Sequence, residues 1–343
     1  MRIVMMGTGT FAEPTFEALL GAFGADVVGL VTQPQRDGGN KRGSTRQTGK
    51  GMAAIAQQYQ PDASARALIQ PESINSPEGI AALRELKPDL LVVAAYGQIL
   101  SRDVLAIPTR GVINVHASLL PKYRGAAPVA YAILNGEKQT GVTIIKVTPG
   151  LDSGDMILQE AIDILPDDTT GSLEARLAVL GAKLAVEAVN LYEAHAANPQ
   201  AASPLAGLPQ DPALVTKAPK IKKEFGLIDW SKPAEEICRH IRAMQPWPTA
   251  YTFLHRPGKE PMRVIVVKAT PSTSFDFAVE NAPFGEPYVW DHDRTGIHVN
   301  CGGPAMTCIT ELQPAGKKSM LVEEFLRGYP VVEGMRFGPE VLS

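Results

Sequence analysis

The stretch DLLVVAAYG, Asp89 to Gly97, holds seven consecutive apolar residues, Leu90 to Tyr96, and stops at a glycine. A strand with one wet face alternates polar and apolar residues, whereas this run has no polar face. It is also far too short to span a membrane. It reads as a central strand covered on both sides. RIVMMG (Arg2–Gly7), DVVGLVTQP (Asp26–Pro34), GVINVHAS (Gly111–Ser118) and TGVTIIKVTPG (Thr140–Gly150) have the same character. Pro14 to Phe23 and MAAIAQQYQ, Met52 to Gln60, read as helices between them. Alternation of apolar strands with helices predicts an α/β fold, a mostly parallel, doubly wound sheet of Rossmann-like type.

From Ser172 a long helix carries Leu173, Leu177, Leu180, Leu184, Ala188 and Leu191 at helical spacing and closes this domain, residues 1–196. Pro199, Pro204, Pro209 and Pro212 then predict a semi-rigid linker over 197–215. The pattern changes in 216–343. RVIVVKA, GIHVNC and AMTCITEL are short strands between Gly and Pro clusters, the look of a small barrel or sandwich.

A chain of 343 residues suits two domains, and 45% apolar with 20% charged residues is ordinary for a globular protein. With 33 basic against 36 acidic residues, bulk charge does not make a general nucleic-acid binder, and any polyanion must meet local patches. Three cysteines without a CxxC pair suit a reducing compartment and argue against a disulfide framework or a zinc site. The first apolar run is too short for a secretory signal, so a cytoplasmic protein is expected.

Gly7-Thr8-Gly9-Thr10 follows a strand and formally satisfies a dinucleotide-binding turn. That site needs an acid at the end of the second strand, where this chain has Thr32, Gln33 and Pro34, so a plain tight turn is favoured over a nicotinamide site. Thr32 to Lys50 holds five basic residues, one acid and four glycines, a long loop suited to phosphate contact. Lys217, Lys220, Lys222 and Lys223 form either a solvated face or a second polyanion contact.

Asn114 and His116, two residues apart on one strand, share a face near its carboxyl end. Pro149-Gly150-Leu151-Asp152-Ser153-Gly154-Asp155 brackets an acid with glycines, and this loop is expected to leave the sheet at the same edge as His116. An amide, an imidazole and a carboxylate converging there suit addition to a carbonyl carbon, with oxyanion stabilisation and proton transfer close together.

Taken with Ser118-Leu119-Leu120-Pro121-Lys122-Tyr123-Arg124-Gly125-Ala126-Ala127-Pro128, the motifs at Asn114-Val115-His116 and Gly150 to Asp155 resemble the formyltransferases that use 10-formyltetrahydrofolate. Thr32-Gln33-Pro34 with its basic loop is similar to the branch of that family whose acceptor is methionyl initiator tRNA. So are Ile228-Asp229-Trp230 with Pro246-Trp247-Pro248, and Leu312 to Lys318. The resemblance implies a smaller OB-like β-barrel as second domain and a catalytic trio of Asn114, His116 and Asp152. It implies a folate-contacting turn at Ser118, Leu119, Leu120 and Pro121, with the strand end Val92 to Gly97 helping to house the pterin. It also implies tRNA contacts at Lys41, Arg42, Lys220, Lys222 and Lys223. A monomer working without metal, on 10-formyltetrahydrofolate and the initiator tRNA, is expected. The rival readings are the same chemistry on an amino sugar nucleotide and a tRNA-binding module without catalysis.

Overall fold

The computed structural model describes residues 1–34, 50–58, 67–197, 206–272, 282–290 and 293–342. The chain divides into two compact units, the second comprising 133–137, 166–170 and 221–343.

The first unit is built on a seven-stranded sheet of β1 (Ile3–Gly7), β2 (Val27–Val31), β3 (Ala67–Ile69), β4 (Leu90–Ala94), β5 (Val112–His116), β6 (Gln139–Lys146) and β7 (Met156–Asp163), in the order β3-β2-β1-β4-β5-β6-β7. The strands from β3 to β5 are parallel. All five residues of β1 and of β4 are buried, as continuous apolar runs require. The helices are α1 (Ala12–Phe23), α2 (Met52–Gln58), α3 (Pro77–Glu85), α4 (Arg102–Leu105), α5 (Pro128–Leu134) and α6 (Thr170–Ala197). On α1, Phe16, Leu19, Leu20 and Phe23 are buried at the three- and four-residue spacing of one helix face. Ser76 caps α3 by accepting the Gly79 N–H ahead of Pro77, a helix start that backbone chemistry favours. On α6, Gly181 lies so close to the sheet that a Cβ there would stand 2.8 Å from the Val115 side chain.

Two features depart from the sequence reading. The strand in TGVTIIKVTPG, β6, runs antiparallel to β5, with His116 opposite Thr143 and Ile113 opposite Lys146. The loop after β6 therefore starts beside the amino end of β5, where the Val147 N–H donates to the Val112 carbonyl, and not at the edge that carries His116. The second is the proline-rich segment read as a linker. Its described residues up to 215 fall in the first unit, which continues to Lys220. Leu208 and Met156 exchange two backbone hydrogen bonds of 2.8 and 2.9 Å, and the Ala218 N–H donates to the Arg124 carbonyl at 2.7 Å. Between these two pairings the segment makes a short 3-10 turn at Pro212–Leu214, where proline's fixed φ suits the first position.

The second unit carries β8 (Tyr251–Arg256), β9 (Lys259–Ser272), β10 (Pro287–Trp290), β11 (Asp293–Val299), β12 (Met306–Pro314), β13 (Met320–Leu321) and β14 (Arg336–Gly338), with α7 (Ala234–Ala243) and α8 (Val322–Gly328). Every pairing between these strands is antiparallel, in the order β10-β11-β12-β9-β8-β14 with β13 on β12. The sheet curls toward closure: the Phe337 N–H on β14 donates to the Gly285 carbonyl, just before β10, at 2.7 Å. This is the curled, OB-like half-barrel. Trp230 and Phe337 pack in its core with centroids 5.8 Å apart, and Trp230 Nε1 donates to Thr252 Oγ1 at 3.0 Å. Among the described residues no helix is long and apolar enough to cross a membrane.

Candidate active site

β5 is flanked by β4 and β6, and two of its five residues are polar. Asn114 is half-buried, and its side-chain amide makes no hydrogen bond to a described residue. His116 is 5% exposed. Its Nε2 lies 3.0 Å from the Tyr123 carbonyl oxygen. A carbonyl only accepts, so Nε2 must carry the hydrogen and donate it. Nδ1 is left as the ring atom on the opposite side, away from Tyr123.

Nδ1 faces Asp152, whose Oδ2 is 3.7 Å away and also accepts the Gly125 N–H at 2.8 Å. The loop carrying Asp152 starts from the far end of β5, so it must double back along the face that bears Asn114 and His116. Two features allow this return. Asp152 takes a left-handed backbone, φ 46°, and a Cβ on Gly154 would collide with the Lys146 carbonyl. The fold thus brings His116 and Asp152 together, with Asn114 two residues back on the same side of β5.

The turn after β5 is held from within. Ser118 is fully buried; its hydroxyl donates to the Lys122 carbonyl at 2.7 Å, and its own carbonyl accepts from Thr143 Oγ1 at 2.6 Å. The Leu120 N–H donates to the same Thr143 hydroxyl, and Gln159 Nε2 donates to the Leu120 carbonyl at 3.0 Å. These bonds turn Ser118 and Leu120 inward, while Leu119 and Pro121 remain half-buried. Thr143 and Gln159 had no signal in sequence, since neither lies in a turn or a charged cluster.

At the neighbouring strand ends, the Gly7 turn is knitted to its surroundings. Gln33 donates its N–H to Thr8 Oγ1 at 3.2 Å and its side-chain amide to the Tyr96 carbonyl at 2.7 Å. Gln33 thus occupies the position where a ribose-binding acid would stand. Beyond the buried Val92, Val93 and Ala94, the end of β4 exposes Ala95 and Gly97. Burial pushes the Tyr96 phenol up to about 12, and its hydroxyl has no partner among the described residues. Burial also pushes the Glu174 carboxyl on α6 up, and a hydrogen bond from Thr10 pulls it part of the way back.

Lys41 and Arg42 lie outside the described residues. Lys220, Lys222 and Lys223 are exposed. Among the described residues no group of three or more His, Cys, Asp or Glu side chains is placed to hold a metal ion.

A strand-end amide and imidazole beside a returning carboxylate, on a Rossmann-like sheet followed by a small curled barrel, define a class. Residues 1–189 match the family described as formyl transferase, and residues 220–330 match the formyl transferase C-terminal domain. The chain belongs to the formyl transferase family. A methionyl-tRNA formyltransferase of Moorella thermoacetica is 40% identical over 98% of this chain and 99% of its own. One of Citrifermentans bemidjiense is 42% identical over 100% of this chain and 98% of its own. The N-formyltransferase of Helicobacter canadensis, solved with folinic acid and dTDP-3-aminofucose, covers 90% of this chain and 98% of its own. At a TM-score of 0.61 and 17% identity it shares the fold.

Proposed function

We propose that this protein transfers the formyl group of 10-formyltetrahydrofolate to the α-amino group of methionyl initiator tRNA. The observation that carries the reading is the His116–Asp152 pair beside the Asn114 amide, in a chain about 40% identical from end to end to methionyl-tRNA formyltransferases. The sugar-nucleotide enzyme shares the fold at 17% identity, which favours the tRNA over an amino sugar as acceptor. The neutral amine attacks the formyl carbon, and the carbonyl oxygen becomes an oxyanion. The Asn114 amide and a protonated His116 Nδ1 donate to it, in a partly dry site where each donor is worth more than in water. Asp152 carries the opposite charge beside Nδ1, and the pair relays the proton lost by the amine toward the departing N10. The donor rests against Leu119 and Pro121, with Ser118 and Leu120 holding that turn from inside. Its pterin lies toward the end of β4.

The basic loop with Lys41 and Arg42, and the exposed Lys220, Lys222 and Lys223, supply phosphate contacts to the acceptor. Mixing the purified protein with 10-formyltetrahydrofolate and either charged initiator tRNA or an amino sugar nucleotide tests the reading. Formylation of the tRNA, falling steeply with added salt, is the expected result. Formylation of the amino sugar alone, or of neither, would overturn it.

A further inference from the structure

We infer that the segment from Ala206 to Ala218 is a strap that sets the geometry of the His116–Asp152 pair, with Gln210 as its positioning residue. Gln210 is 9% exposed and commits its whole side-chain amide to the site. Its Nε2 donates to the carbonyl oxygens of Asp152 and Gly154, each at 2.8 Å, and its Oε1 accepts from Arg124 Nε at 2.9 Å. Asp152 needs such ties. A non-glycine residue in the left-handed region persists only when its surroundings over-determine it.

The same strap grips the loop on the other side of the pair. Thr216 Oγ1 accepts the Tyr123 N–H at 2.8 Å, and the Thr216 carbonyl accepts the Arg124 N–H at 2.9 Å. Tyr123 is the residue whose carbonyl holds His116 Nε2. One segment is thus bonded both to the loop that carries Asp152 and to the loop that orients His116. Its register fixes the separation between Nδ1 and the carboxylate. Lys146 Nζ, donating to the Ala206 carbonyl at 2.8 Å, and the Leu208–Met156 bridge anchor the near end.

This inference rests on the proposed role of Asp152, and the experiment separates the two. Gln210→Met keeps the side-chain volume and removes three hydrogen bonds. Thr216→Val, at an exposed position, removes one hydrogen bond from the His116 side. Each is assayed for formyl transfer to methionyl initiator tRNA, and Gln210→Met also in combination with Asp152→Asn. A misplaced catalytic group costs up to about 100-fold. For Gln210→Met the expected kcat is about 10- to 100-fold lower, with KM for 10-formyltetrahydrofolate within about threefold. Little further loss is expected when Asp152→Asn is already present, because both changes act on one group. For Thr216→Val the expected kcat is about 5- to 10-fold lower, again at nearly constant KM. A kcat within about twofold of the parent in either variant, or a loss that multiplies undiminished with that of Asp152→Asn, contradicts the strap. If Gln210→Met does not fold, Thr216→Val decides. Parental activity in Asp152→Asn itself would instead overturn the site reading on which the inference stands.

Discussion

His116 Nε2 and the Tyr123 carbonyl oxygen are 3.0 Å apart, and that contact leaves Nδ1 as the ring atom that faces Asp152. Asp152→Asn keeps a side-chain oxygen for the Gly125 N–H but removes the carboxylate beside the imidazole. The expected kcat is lower on the order of 100-fold, the usual range for losing a proton-transfer partner, with KM for the donor little changed. Steady-state kinetics at saturating tRNA check this, and an unchanged kcat contradicts it.

Asn114 shares the face of His116, and its amide makes no hydrogen bond to a described residue, which suits the proposed role of oxyanion donor. Asn114→Ala removes that donor without stranding a described partner. The expected loss in turnover is about 100- to 1000-fold, and donor binding stays near the parental value because the bond forms only as charge develops. Equilibrium titration with the folate, run beside the kinetics, separates the two effects. A variant that loses binding and keeps kcat would assign Asn114 to ground-state recognition instead.

Gly154 lets the Asp152 loop close against Lys146, since a Cβ there would meet the Lys146 carbonyl. Backbone cannot yield as a flexible side chain can. Gly154→Ala is expected to destabilise the protein by about 1–3 kcal/mol, the usual range for overpacking, and to lower kcat by displacing Asp152. Urea unfolding and the transfer assay on the same preparation measure both. Parental stability together with parental kcat would show that the loop closes without this contact.

Burial pushes the Cys238 thiol on α7 up to about 12 from an ordinary 9.0. A group with a raised folded pKa contributes its stabilisation fully below the unfolded value, and loses it as pH climbs through the folded one. The window is therefore about pH 9 to 12. Between pH 7.5 and 10 the parent should lose about 1 kcal/mol that Cys238→Ala does not lose, because only the unfolded thiol ionises in that range. Urea unfolding of both proteins at the two pH values checks the difference. Equal pH dependence in the two would mean that Cys238 is not held neutral by burial.

Much of this is legible in the sequence itself. The apolar runs at Ile3–Gly7 and Leu90–Ala94 identify buried parallel strands because no polar residue interrupts them. Asn114 and His116 stand out because they are the polar exceptions in such a run. The direction of β6 was not legible. A buried strand antiparallel to its neighbour carries the same apolar residues as a parallel one, so TGVTIIK reads identically either way. The reversal moves the start of the Asp152 loop to the other end of β5, and the loop's return to His116 uses a left-handed Asp152 and a tight Gly154 that composition does not announce. Gln210 and Thr216 were hidden for another reason. Gln210 sits in the proline-rich stretch whose composition describes a spacer and Thr216 just past its end, and their importance lies in hydrogen bonds to backbone atoms far away in sequence.

The most direct test is single-turnover transfer of labelled formyl from 10-formyltetrahydrofolate to methionyl initiator tRNA, by the parent protein and by His116→Ala, with folding of both verified by circular dichroism. The expected result is rapid labelling of the tRNA by the parent, and a rate at least about 100-fold lower in His116→Ala with both substrates still bound. No labelling by the folded parent, or a near-parental rate in His116→Ala, would contradict formyl transfer at this site.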